Sequence, residues 1–123
     1  MSDQKHDQVP VHAAVKVMLA SEDIFFGPGV YQIMKEIDAS GSVSEACRIT
    51  GISYSKAWKI LKKCERRLGC KVVIRQAGGA GGGRASLTEE GRELIRLYEI
   101  FDRKVHEDAA ALYQKIFIEK NLD

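Results

Sequence analysis

Residues 42–88 read SVSEACRITGISYSKAWKILKKCERRLGCKVVIRQAGGAGGGRASLT, and few folds accommodate that order of signals. Ser42-Val43-Ser44-Glu45 has the form of a capping box, in which the serine hydroxyl meets the third amide of the helix and the glutamate reaches back. The short helix that follows, over 43–50, turns Val43, Ala46 and Cys47 to one side. Gly51 ends it, Ile52 plugs the turn and Ser53 caps a second helix over 54–68. Gly69 is a natural C′ glycine. A strand over 71–76, a loop tip over 77–83 with five glycines and a return strand over 84–87 come next. Thr88 then caps a last helix.

The second helix of this stretch splits into two faces. Ala57, Ile60, Leu61, Cys64 and Leu68 fall on a core side, and Ser55, Lys59, Lys62 and Arg66 lie opposite, with Lys56 and Lys63 on their flank. Between Ser42 and Arg84 ten lysines and arginines face only Glu45 and Glu65, a surplus of eight. The whole chain carries only +2, so the remainder carries −6. A basic patch on a nearly neutral protein is the electrostatic footprint of a nucleic-acid reader. Short helix, turn, basic helix and glycine-tipped hairpin together predict a mainly α fold with a small β-wing, a winged helix-turn-helix.

Upstream, residues 1–10 are expected to form a flexible tail. Residues 11–20 alternate Val11, Ala13, Val15, Val17 and Leu19 against more polar neighbours, which predicts an N-terminal strand with one buried face. Such a strand has two places to go, a dimer interface or the wing sheet. Residues 21–23 form a turn, and Ile24, Phe25 and Phe26 a short apolar bridge. A first helix then places Val30, Ile33, Met34 and Ile37 on one face and stops at Ser40-Gly41. The last helix is expected to reach about Asn121. Its apolar positions Leu94, Tyr98, Phe101, Val105, Ala109, Leu112 and Ile116 form a narrow seam, and a seam this long calls for a partner helix. Leu94, Tyr98, Phe101, Val105 and Leu112 are therefore the expected dimer interface. The organisation read from the chain is a tail over 1–10, a DNA-binding domain over 11–87 and a linker and dimerisation helix over 88–123.

Composition narrows the classes further. A hydrophobic share of 45% belongs to a globular chain. No apolar run approaches the ~20 residues of a membrane span, and MSDQKHDQVP has no signal-peptide core, so a cytoplasmic protein is expected. Cys47, Cys64 and Cys70 form an odd set, unlike a disulfide framework, and Cys64 with Cys70 fits no standard zinc spacing. Cys47 and Cys64 read as small buried hydrophobes. None of His6, His12 and His106 clusters with a Ser, Cys or carboxylate in a way that suggests catalysis, so no enzyme, metal or cofactor is expected.

FGPG (26–29), SGSVSEA (40–46), ISYSKAW (52–58), GGAGGGRASLT (78–88) and EEGRELI (89–95) occur in this order. The combination resembles the N-terminal DNA-binding domain of the ModE family of molybdate-responsive transcriptional regulators, and more widely LysR-type winged helices, over about residues 24–113. The resemblance implies double-stranded DNA as partner, and the seam of the last helix a homodimer. Full-length members of that family carry C-terminal molybdate-binding modules after the long helix. Because the chain ends at Asp123, molybdate sensing is not carried over and no effector is assigned.

For DNA the candidate contacts are Ser42, Ser53, Ser55, Lys56, Lys59, Lys62 and Lys63, with Arg75, Gly81, Gly82 and Arg84 in the wing. Lysines on a helix are often only a solvated face. These have no carboxylate at i±4 except Glu65 at the side, and the short hydroxyls of Ser53 and Ser55 stand where base edges would be met. The glycine tip lacks the Gly-Lys-Ser/Thr ending of a phosphate-binding loop. As a wing it would let backbone amides approach phosphates; as a plain hairpin it would only turn the chain. Tyr54 and Trp58, at the border of the core face, read as packing residues rather than base-stacking ones. The competing functional reading is a winged helix used for protein assembly without DNA.

Overall fold

A computed structural model describes residues 9–76 and 83–123. The expected glycine tip therefore lies, apart from Gly83, outside the described residues, as do Gly81 and Gly82 and most of the N-terminal tail. Two short strands, β1 (Leu19–Ala20) and β2 (Ile24–Phe26), precede helices α1 (Pro28–Ser40), α2 (Val43–Thr50) and α3 (Tyr54–Leu68). Strands β3 (Val73–Gln76) and β4 (Arg84–Leu87) follow, then α4 (Glu89–Tyr113), continued by a π-helical turn over Gln114–Ile118. The architecture is a winged helix with a long C-terminal helix. It divides into two compact units, one of Lys16–Phe101 and one of Asp102–Asp123 with the start of the chain through Val15. Among the described residues no helix is long and apolar enough to cross a membrane.

The helix ends follow local chemistry. Gly41, Gly51 and Gly69 each hold a left-handed backbone with φ between 72° and 75°, which glycine adopts without a Cβ clash. Their amides donate to Ile37, Cys47 and Glu65 carbonyls at 2.8–2.9 Å, closing α1, α2 and α3. Ser42 Oγ accepts the Glu45 amide at 3.0 Å and Ser53 Oγ the Lys56 amide at 3.2 Å. The reciprocal half of the expected capping box is not formed, because the Glu45 carboxylate turns to Arg48 one turn on. That arginine holds the Glu45 carboxyl below its usual pKa.

The first unit's core is made where α1, α2 and α3 meet β2 and the wing. Phe26, Ile33, Met34, Ile37, Leu61, Cys64, Val72 and Leu87 are completely enclosed, and each of the larger ones contributes roughly 1.5–3 kcal/mol by leaving water. Cys47 and Cys64 are buried free thiols, and burial pushes the Cys64 thiol up to about 12. Ile60 is only half-buried, and Leu68, expected inside, is 38% exposed. Leu68 is the last residue of α3, at the rim of the core.

The N-terminal strand is much shorter than the alternation predicts. Only Leu19 and Ala20 are strand, paired antiparallel with Ile24–Phe26, which is itself a strand rather than a bridge. A ladder needs a partner, and the tight turn at 21–23 offers three residues of one. Of the alternating set, Val17 is buried while Val11 is 76% exposed. β1 joins β2 and not the wing, whose sheet consists of β3 and β4. In the other unit, Tyr113 stacks on Phe117 at 5.0 Å. Regular α-helix stops at Tyr113, short of Asn121, and the widened turn ends before Lys120 at φ 61°.

α4 is set against the wing at Thr88 and Gly91. The Thr88 hydroxyl donates to the Lys71 carbonyl at 2.7 Å and accepts the Gly91 amide at 2.9 Å. The Thr88 amide reaches the Val72 carbonyl at 3.0 Å. A Cβ on Gly91 would run into that same Val72 carbonyl oxygen. Gly91→Ala should therefore destabilise the fold by about 1–3 kcal/mol, the usual cost of overpacking, although alanine is the better helix former. Urea unfolding of the two proteins checks this.

Candidate nucleic-acid interface

α3 presents its basic side to solvent. Ser55, Lys56, Lys59, Lys62 and Arg66 are exposed and Lys63 is half-buried. Together with Tyr54 and Trp58, all of these but Lys56 line a shallow open groove of about 640 Å³ along the helix. Among the described residues Lys56, Lys59 and Arg66 make no ion pair, so their charge is available to a phosphate. Lys63 is different: its Nζ lies 2.7 Å from Asp23. Ser53 and Ser42 spend their hydroxyls on capping α3 and α2. Ser42 is half-buried, whereas Ser55 is open.

The wing is fastened to α3 at two places. On the outside, the Arg75 guanidinium of β3 lies 4.6 Å from the Trp58 ring centroid and 5.9 Å from that of Tyr54, and it donates to the Tyr54 hydroxyl. Lys62 Nζ also approaches the Trp58 ring, at 5.9 Å from its centroid. These are cation–π distances. Tyr54 and Trp58 thus pack on cations and on each other, their rings meeting edge-on at 6.4 Å. The Trp58 indole N–H, followed by Arg75, holds the Tyr54 phenol below its usual pKa. That N–H is buried yet falls short of a full hydrogen bond. Arg84, at the base of β4, rests its guanidinium against Gly41, where the Ala85 amide also donates to the Gly41 carbonyl at 2.9 Å.

The inner fastening was not anticipated. Glu65, expected at the side of α3, is only 9% exposed. Its carboxylate accepts the Val72 and Val73 amides at 2.9 and 3.3 Å, with Lys71 Nζ 3.9 Å away. A signal for this was present in the sequence, since Glu65 stands four residues after Leu61, inside the apolar stripe. Asp23 gave no such signal. It sits 44 residues before Arg67 in the chain, yet accepts from Arg67 Nε at 3.1 Å as well as pairing with Lys63. Lys63 and then Arg67 hold the Asp23 carboxyl below its usual pKa.

The expected seam of α4 is not uniform. Tyr98 is turned into its own head: its hydroxyl donates to the Val17 carbonyl at 2.8 Å and its ring meets Phe26 edge-on at 4.9 Å. At 5% exposure it offers no free surface for a partner. Leu94 and Val105 are half-buried, while Leu97, Phe101 and Leu112 are between 51% and 54% exposed. The open apolar stripe therefore includes Leu97, which the seam omitted, and excludes Tyr98.

The sequence pattern of bacterial regulatory helix-turn-helix proteins of the lysR family matches residues 30–92, just over half of the 123 residues. The chain belongs to that family. The matched lysR-family segment runs from α1 through the helix-turn-helix and wing into the first turn of α4. The chain is also 37% identical over 79 residues to the DNA-binding transcriptional dual regulator ModE of Escherichia coli (strain K12), covering 64% of this chain and 30% of that protein. It is 34% identical over 94 residues to the transcriptional regulator ModE of Yersinia pestis, covering 76% and 33%. A further relative is the molybdenum-pterin-binding protein MopB of Rhodobacter capsulatus, 38% identical over 66 residues, covering 54% and 24%. The similarity thus spans a third or less of the length of these relatives.

In this lysR-family head Glu65 joins the start of the wing to α3. Glu65→Ala would leave two buried amides without acceptors, at a cost of about 1.5–3 kcal/mol for hydrogen bonds to a charged group. A fall of that size in chemical unfolding is expected, together with loss of protection of the Val72 and Val73 amides in hydrogen exchange. Unchanged exchange at those two amides would show that the wing is held without Glu65.

Proposed function

We propose that this chain is a sequence-specific DNA-binding transcriptional regulator, not an enzyme, that acts in the cytoplasm as a homodimer on two-fold symmetric sites. The observation that carries it is the exposed basic face of α3 in a lysR-family helix-turn-helix, with Lys56, Lys59 and Arg66 free of carboxylates among the described residues. α3 would enter the major groove, with Ser55 and Lys59 nearest the base edges, and the wing would follow the backbone. Lys62, Arg75 and Arg84 would serve the phosphate walls, whereas Lys63 is held by Asp23. That the relatives from Escherichia coli and Yersinia pestis bear the names of transcriptional regulators supports the reading.

A duplex retardation assay over a salt series tests it. Affinity should fall steeply with salt, at a logarithmic slope of about 0.9 per phosphate neutralised. Lys56→Ala/Lys59→Ala should lower affinity and flatten that slope by about 1–2, with the melting temperature unchanged because both side chains are exposed. A wild-type chain without salt-dependent duplex binding would instead favour a winged helix that assembles with proteins.

The dimer reading rests on the apolar stripe of Leu97, Phe101 and Leu112 with half-buried Leu94 and Val105. Pairing two such stripes about a two-fold axis removes both from water, worth about 25 cal/mol per Å². Sedimentation of wild type beside Phe101→Glu/Val105→Glu tests it. The wild type should be dimeric at micromolar concentration, and the variant monomeric and weak on a half-site. A dimeric variant would move the interface elsewhere.

A further inference from the structure

Not all cations of α3 are equally available. Lys63 lines the same groove as Lys59, Lys62 and Arg66, yet it is bound 2.7 Å from Asp23 Oδ2. Arg67, the next residue around the helix, gives Nη2 to Asp23 Oδ1 at 3.0 Å and Nε at 3.1 Å. One carboxylate in the turn between β1 and β2 thus holds two cations on one flank of the helix. The turn is fixed locally by the Ser21 amide on the Asp23 carbonyl at 3.0 Å. Its neighbour Glu22 is also exposed and, among the described residues, makes no ion pair, so the turn carries two carboxylates.

We propose that Asp23 is a specificity-determining residue: by occupying Lys63 and Arg67 it weakens sequence-independent binding to double-stranded DNA more than sequence-specific binding. The inference rests on the DNA-binding reading of α3. Non-specific affinity comes almost entirely from phosphates neutralised by lysine and arginine. Withdrawing two of the cations of α3 from that pool lowers it directly. The groove residues proposed to meet base edges, Ser55 and Lys59, are untouched by Asp23. A phosphate that recruited Lys63 or Arg67 would also leave the Asp23 carboxylate unpaired beside it, and like charges at that range repel. An exposed ion pair adds little to stability on its own, so the device can act on binding without being needed for folding.

Asp23→Asn keeps the shape of the turn and removes its charge. On a random-sequence duplex, with salt varied from roughly 50 to 200 mM, the variant should show a logarithmic salt slope steeper by about 1–2 and tighter binding at the low-salt end. Affinity for a duplex selected from random sequence should rise less, so the ratio of specific to non-specific affinity should fall several-fold. Lys63→Gln/Arg67→Gln should leave the wild-type slope unchanged, and added to Asp23→Asn it should restore it. That cycle reads the slope even if the substitution loosens the turn. An Asp23→Asn slope equal to wild type, or a Lys63→Gln/Arg67→Gln pair that flattens the wild-type slope, overturns the inference and leaves DNA binding standing. A wild-type chain that shows no salt-dependent duplex binding overturns the reading of α3, and the role of Asp23 with it.

Discussion

A carboxylate sealed between a helix and a strand must be satisfied by the groups around it, because an unsatisfied one is costly. Glu65 meets that requirement with the Val72 and Val73 amides, at the point where β3 leaves α3. The rest of the head follows from that junction. It fixes where the chain re-enters after the Gly69 cap, and so where the Val72 carbonyl stands. That carbonyl receives the Thr88 amide and leaves room only for the glycine at position 91. One side chain in the last turn of α3 thus links the helix to both the wing and the start of α4.

The charges around α3 fall into distinct groups. Among the described residues Lys56, Lys59 and Arg66 make no ion pair; Lys63 and Arg67 are held by Asp23; Arg75 and Lys62 lean on aromatic rings. A net charge of +8 between residues 42 and 84 thus overstates what a phosphate would meet. Arg75 in particular is oriented before any ligand arrives, since its planar guanidinium is stacked and hydrogen-bonded. The wing strand it belongs to is consequently tied to α3 inside and out, by Glu65 and by Arg75.

Local signals were readable from the chain, and non-local partners were not. The helices α2 and α3 fall at the predicted residues because each carries its own punctuation, a serine cap and a glycine stop, and β4 because it lies between Gly83 and the Thr88 cap. β3 begins at Val73 rather than Lys71, and the apolar seam continued past the end of regular helix at Tyr113. Where the outcome depended on a distant segment, pattern alone misled. The alternation of 11–20 looks like a strand, yet β2 can pair with only two of its residues. Tyr98 fits a helical seam by spacing, but Phe26 and the Val17 carbonyl claim it. The lysines of α3 have almost no acidic neighbour on their own helix, and the carboxylate that binds one of them arrives from the β1–β2 turn. The candidate site was thus visible as a basic face, but its division into free and occupied cations was not.

Trp58 is the only tryptophan of the chain, and it sits in the groove of α3 with one cation from the helix and one from the wing against its ring. The protein's intrinsic indole emission therefore originates at a single known point, the joint between α3 and the wing. Quenching, colour and anisotropy of that light report on the local geometry of this joint without any label. A movement of the wing away from the helix, or a polyanion drawing Lys62 or Arg75 off the ring, would be written directly into the spectrum.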